Sequence, residues 1–114
     1  MSDRELLEMA AKAAGIQYDG LDEDRGCDIW WIPELSRYDA WNPLTDDGDA
    51  MRLAVVLDLD IEFDCKADGL QTYVTVVGRE VQNKTSYEHH GDDPFSATRR
   101  AIVRAAAEIG KAMP

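Results

Sequence analysis

Three groups of residues carry side chains able to do chemistry. The first is His89-His90, followed by Asp92-Asp93. Histidine and aspartate together hold zinc or trade protons. Adjacent histidines on a loop rarely grip one ion together, and no third ligand stands at a chelating spacing, so a polar loop ahead of a capped helix is expected here. The second group is aromatic. Trp30, Trp31 and Trp41 all fall within 12 residues, with Tyr38 between them and Asp46 and Asp47 just beyond. Exposed tryptophan and tyrosine beside carboxylates suit a protein interface, or the stacking of a base or sugar. The competing reading of Trp41-Asn42-Pro43-Leu44-Thr45-Asp46-Asp47 is a helix entry, with Leu44 as a hydrophobic staple and Trp41 over the junction. The third group is Arg99, Arg100 and Arg104. Arg100 and Arg104 stand one helical turn apart and have the donors to hold a phosphate or carboxylate, but they can equally pair with acids of the same chain.

Other candidates are weaker. Asp22, Glu23 and Asp24 lack the spacing of a calcium loop. Cys27 and Cys65 have no second cysteine or histidine at metal spacing, and both are expected as reduced thiols. No phosphate-binding glycine loop, nucleophile elbow or H-E-x-x-H motif occurs. The reading therefore assigns no catalytic residue, metal or cofactor.

The elements that position these groups follow from periodicity. Residues 2–14 read as a helix, with Ser2 and Glu5 as a capping box and Gly15 as C-cap. Short strands at 16–18 and 27–32 flank a hairpin loop over 19–26, and Pro33 limits the second. Residues 33–45, with Pro33 and Pro43, read as a loop. A helix over about 46–57 is capped by Thr45 or Asp46 and buries Ala50, Leu53, Ala54 and Leu57. Alternation predicts strands at 60–66, 70–77 and 81–88, the last more polar and at an edge. Asp93 followed by Pro94 starts a final helix reaching about residue 112, with Phe95, Ile102, Ala105, Ala106, Ile109 and Met113 on its core face.

Trp30 and Trp31 make a geometric fork. Neighbours in a strand point to opposite faces, so both are buried only if both faces are covered. Helices on one face alone leave one tryptophan exposed as a dimer or partner surface.

The 114 residues suit one domain, 1–114, and their 45% hydrophobic and 31% charged content is that of a globular chain. No apolar run is long enough to span a membrane, and the charged start does not read as a secretion signal. A cytoplasmic location is expected. Net charge is -11, and it is uneven: residues 1–60 carry 15 acids and 5 bases, the rest 8 acids and 7 bases. Such a surface repels nucleic acid and favours a basic protein partner, while also serving solubility.

Residues 41–53 (WNPLTDDGDAMRL) and 92–112 (DDPFSATRRAIVRAAAEIGKA) resemble the phage ABA (alpha-beta-alpha) sandwich domain family of small bacteriophage and prophage proteins, and DRELLEMAAKAAG near the start is similar too. The resemblance implies a phage or prophage gene expressed in a bacterial cytoplasm, helices packed on a central sheet, and no catalytic residues.

The fold expected is an α+β sandwich of three helices on a central, mainly antiparallel sheet of about five strands. The function expected is a non-enzymatic accessory protein that binds a host or phage protein with a basic surface. Its contact residues would be Trp30, Trp31, Tyr38, Trp41, Asp46 and Asp47. A sharper version is an acidic inhibitor of a host defence or nucleic-acid enzyme, with carboxylates imitating phosphates. The alternatives are a nucleotide-binding protein using Arg99, Arg100 or Arg104, a metal-dependent enzyme on His89 and His90, and a self-assembling structural protein.

Overall fold

The last helix organises the molecule. In the computed structural model, which describes residues 1–64, 71–76, 85–89 and 93–114, it spans Pro94–Ala112 and is numbered α3. Its start is fixed as the sequence predicts: the Asp93 carboxylate accepts from the N–H groups of Phe95 and Ser96, and proline occupies the first turn. Its buried side is small-residue rich, with Ala101, Ala105, Ala106, Ala107 and Gly110 beside Ile102, Val103 and Ile109.

That side lies against helix α1, Asp3–Ala14. Ser2 caps α1 through the N–H of Glu5, and Gly15 ends it at φ 73°, a left-handed conformation that only glycine adopts without cost. The two helices cross at near-backbone contact. A Cβ on Gly110 would overlap the carbonyl oxygen of Met9 and sit 2.8 Å from its carbonyl carbon. Arg100 forks onto Asp3, and Lys12 donates to the carbonyl of Met113, which ties the same two helices at their edges.

Helix α2, Asp47–Val56, is capped by Asp46, whose carboxylate accepts from Asp49 N–H. It buries Ala50, Leu53 and Ala54, and Leu57 beyond its end is buried too. With α1 and α3 it encloses one core that also takes Ile16, Trp30, Ile32 and Trp41.

The strands depart from expectation. The chain is α+β with three helices, but no central five-stranded sheet is present among the described residues. Two separate three-stranded antiparallel sheets replace it, β1-β2-β3 and β4-β5-β6. The first uses β1 (Gln17–Asp22), β2 (Cys27–Ile32) and β3 (Arg37–Asp39). Here β1 runs four residues past the predicted strand end, because a bulge at Tyr18/Gly20 absorbs the polar stretch. A tight turn then closes on the Asp22 carboxylate, which accepts from Asp24 and Arg25 N–H. The expected loop over 33–45 holds a 3-10 turn, Pro33–Leu35, and the short β3; Ser36 at φ 49° bends the chain so that β3 returns along β2. The second sheet uses β4 (Leu59–Asp64), β5 (Gln71–Val76) and β6 (Thr85–His89), and α3 packs on all three strands. Cys65, the predicted turn at 66–69, the stretch 81–84 and His90 to Asp92 lie outside the described residues.

Two core assignments on α3 are corrected. Phe95 is 69% exposed and Met113 is exposed as well, because the face buried against α1 and α2 begins at Ala101 and ends at Gly110.

Candidate functional site

The aromatic cluster is split by the pleat of β2. Trp30 and Trp31 point to opposite faces. Trp30 is 3% exposed and packs edge-on against Tyr18 (ring centres 5.0 Å apart) and Trp41 (5.2 Å). Trp41 is 5% exposed. Both residues belong to the core, which corrects their expected place on a contact surface: the helix-entry reading of residues 41–47 describes Trp41. Asn42 Oδ1 accepts from Leu44 N–H, and the Asn42 carbonyl accepts from Thr45 and Asp46 N–H, which fixes the turn into α2.

Trp31 faces the other way and is half-buried. It stands directly opposite Tyr38 in the β2–β3 register, with ring centres 4.9 Å apart and planes tilted by 57°. Tyr38 is 56% exposed. Ile29, on the same side of β2, is buried and lies apart from the main core. Trp31 and Tyr38 thus form an aromatic pair on the outer face of this sheet, with the indole half-buried and not fully exposed.

The segment that carries this sheet is acidic. Residues 17–39 hold seven acids and two bases, Arg25 and Arg37, and both bases fall on Asp39. Asp39 also accepts from Ala40 N–H; that bond first, and Arg25 next, hold its carboxyl below the usual carboxylate range. Asp28 takes Arg4 at 2.8 Å and Tyr18 Oη at 2.9 Å.

Arg4 closes the inner side of the same sheet. It bonds Glu8 and Asp28, and its guanidinium lies 4.6 Å from the Tyr18 ring centre. The hydrogen bond to Glu8 is the first cause raising its pKa above the usual arginine value. Beside it opens a cleft of about 440 Å3, lined by Arg4, Cys27, Asp28, Trp41, Asn42 and Asp46 among others. Its polar walls are bonded to one another. The buried Asp49 accepts from Asn42 N–H at 2.9 Å and from Arg52 at 2.6 Å, and Asp46 is the cap of α2. These carboxylates build the entry to α2.

The arginines of α3 are likewise engaged. Arg99 donates to the Leu44 carbonyl and to Asp47, and Arg100 holds Asp3. Arg104 is on the exposed side of the helix. Asp47 stays largely exposed while paired. The reading in which these arginines serve acids of their own chain describes Arg99 and Arg100.

Of the histidine pair, the backbone of His89 ends β6 and His90 lies outside the described residues. Among the described residues no group of three or more His, Cys, Asp or Glu is placed to hold a metal ion, and no helix is long and apolar enough to cross a membrane.

Sequence reasoning missed the exposure of Met51, Phe63 and Phe95. For Phe95 a signal was present: Thr98 and Arg99, three and four residues on, share its face and are polar, so the apolar stripe of α3 starts a turn later.

Comparison with protein-family models, with curated proteins and with solved structures returns no match to this chain.

Proposed function

We propose that this chain is a non-enzymatic protein-binding module that docks a basic partner on the outer face of the β1-β2-β3 sheet. One observation carries the reading: the Trp31–Tyr38 pair stands at the surface, inside a sheet whose seven acids outnumber two bases that both fold onto one aspartate. Aromatic anchors give such an interface its contact area, and the surrounding carboxylates select and steer a positively charged surface. In the setting we propose, the chain is a phage or prophage accessory protein acting in a bacterial cytoplasm, and the partner is a nucleic-acid or defence enzyme whose basic groove meets carboxylates in place of phosphates.

The test is capture of the tagged protein from bacterial cells at low salt, identification of what is retained by mass spectrometry, and repetition with Tyr38→Ala and Trp31→Ala. A stoichiometric basic protein, released by salt and by either variant, is the expected result. Retention that ignores both salt and the variants would refute the reading. A co-purified species absorbing near 260 nm would transfer the argument to the arginines of α3.

A further inference from the structure

The β1-β2-β3 sheet ends in an open strand. β3 pairs with β2 on one side and, among the described residues, meets no strand on the other. Alternate residues of an antiparallel ladder bond the neighbouring strand, and the others turn their N–H and C=O outward, so this edge keeps pairing groups to offer. The edge is bare, with Arg37, Tyr38 and Ala40 all exposed. The opposite edge of the sheet, β1, is broken by the bulge at Tyr18/Gly20, a device that spoils strand addition. β3 also differs in charge. It holds Arg37 and Asp39, whereas β1 and β2 together hold three acids and no base.

We infer that β3 pairs with β3 of a second copy of this chain, antiparallel about a two-fold axis at Tyr38, to make one continuous sheet of six strands. The strand's own residues select this occupant. In that register Arg37 stands directly opposite the partner's Asp39, twice by symmetry, and Tyr38 opposite its own counterpart. Two-fold registers centred on Arg37 or on Asp39 set like charges face to face. A strand that reads base, aromatic, acid is thus its own complement. Within one chain Asp39 accepts from Arg25 at 3.1 Å and from Arg37 at 3.2 Å. Exchanging Arg37 between the copies again leaves each Asp39 with two arginines, so the charges set the register and add little pull. The pull comes from backbone bonds and from the aromatic side. Trp31 stands opposite Tyr38 across β2 and β3, so joined edges line up both rings and their two counterparts in one row on the outer face. The outer face stays open in this arrangement, and the inference does not rest on a basic partner docking there. The charge of -11 on each chain opposes the contact and the strand has three residues, so a weak, concentration-dependent dimer is expected.

Sedimentation of the full chain from about 1 μM to about 1 mM brackets such an affinity. At about 0.15 M salt the Debye length of about 8 Å screens the long-range repulsion and spares contacts inside the pair. A monomer–dimer equilibrium is expected, and a monomer at every concentration overturns the inference. The diagnostic variants are Arg37→Glu and Asp39→Arg. Each alone sets like charges opposite one another at both cross-strand positions, and dimerisation should weaken by about tenfold or more. Mixed in equal amounts, the two variants bring opposite charges together at both positions, and a heterodimer should form about as readily as the original dimer. Such recovery on mixing has no explanation in misfolding, and a circular dichroism melt checks that each variant folds. A dimer untouched by either substitution overturns the inference, as do folded variants that stay apart on mixing. Asp39 also accepts from Ala40 N–H, so a second probe covers early melting of Asp39→Arg. Tyr38→Lys, at an exposed position, places two ammonium groups face to face on the axis. It should weaken the dimer by about tenfold, and unchanged dimerisation would overturn the inference.

Discussion

Replacing Gly110 by alanine should destabilise the fold, although alanine is the better helix former. Inside a helix the exchange gains about 1 kcal/mol from backbone entropy. Against that stands the crossing with α1. The added carbon would overlap the Met9 carbonyl oxygen and lie 2.8 Å from its carbon, with Ala13 N at 3.3 Å. Carbon atoms pack at about 3.5–4.0 Å, so α1 must retreat by roughly 1 Å, and a gap of that size forfeits up to about half of each contact along the seam. Overpacking of a tight core costs about 1–3 kcal/mol, and the obstacle here is backbone, which places this site at or above the upper end. The net expectation is a loss of about 2 kcal/mol, or a Tm lower by about 8 °C for a chain of this size. Thermal unfolding followed by circular dichroism measures it. Gly48→Ala is the control. In α2 the new carbon meets only side-chain atoms, Arg52 at 3.5 Å and Asp46 Oδ2 at 3.3 Å, and that capping oxygen need give by only a few tenths of an ångström while keeping its bond to Asp49 N–H. Gly48→Ala should leave Tm close to the starting value, the gain in helix propensity being offset by the small shift asked of the Asp46 cap. An equal or higher Tm for Gly110→Ala would refute the close-crossing argument; a fall in both variants would refute the propensity side of it.

Trp41→Ala should cost about 3–5 kcal/mol in denaturant unfolding, whereas Trp31→Ala, on the outer face, should cost less than about 1 kcal/mol; equal losses would contradict their opposite placements. Acrylamide quenching should report Trp31 as the accessible indole, and Trp31→Phe should leave fluorescence that is largely protected. Asp49→Ala leaves the Asn42 N–H without its acceptor in a part-buried site, so a loss of about 1–3 kcal/mol is expected, and a neutral result would show that this bond does not hold the α2 entry. Asp39 has a depressed pKa in the fold, so its contribution to stability is present above the unfolded carboxylate value and is lost as pH falls through the folded one. In a carboxyl NMR titration Arg25→Ala should move the Asp39 midpoint upward, and an unmoved midpoint would remove Arg25 as a cause.

The three helices were legible because each carries its own boundary chemistry. Ser2, Asp46 and Asp93 make the capping bonds their positions predict, and Gly15 supplies the left-handed stop. The sheets were less legible. Alternation says that a strand exists and which side is apolar, but not where pairing stops. Thus β3, three residues between a 3-10 turn and Ala40, has no pattern long enough to read, and the split into two sheets follows from contacts that no single segment encodes. At the candidate surface the pleat rule divided Trp30 from Trp31 correctly in principle. Which of the two faced inward depended on Trp41 and Tyr18 arriving from other elements. The engagement of Arg99 and Arg100 was readable as one of two alternatives, because an arginine carries no record of whether its acid is in the same chain.

The seam between α1 and α3 also sets an order of events during synthesis. Both sheets join strands that follow one another along the chain, so each can zip as soon as its hairpins leave the ribosome. Helix α1 is made first, but its apolar side, with Leu6, Ala10 and Ala11, must wait for the surface that Ala101 to Gly110 later provide. Until then those residues are open to chaperones and proteases. A pulse of protease on stalled nascent chains should therefore cut near α1 until residues 101–110 have emerged, and protection that begins earlier would show that α1 has found another place to rest.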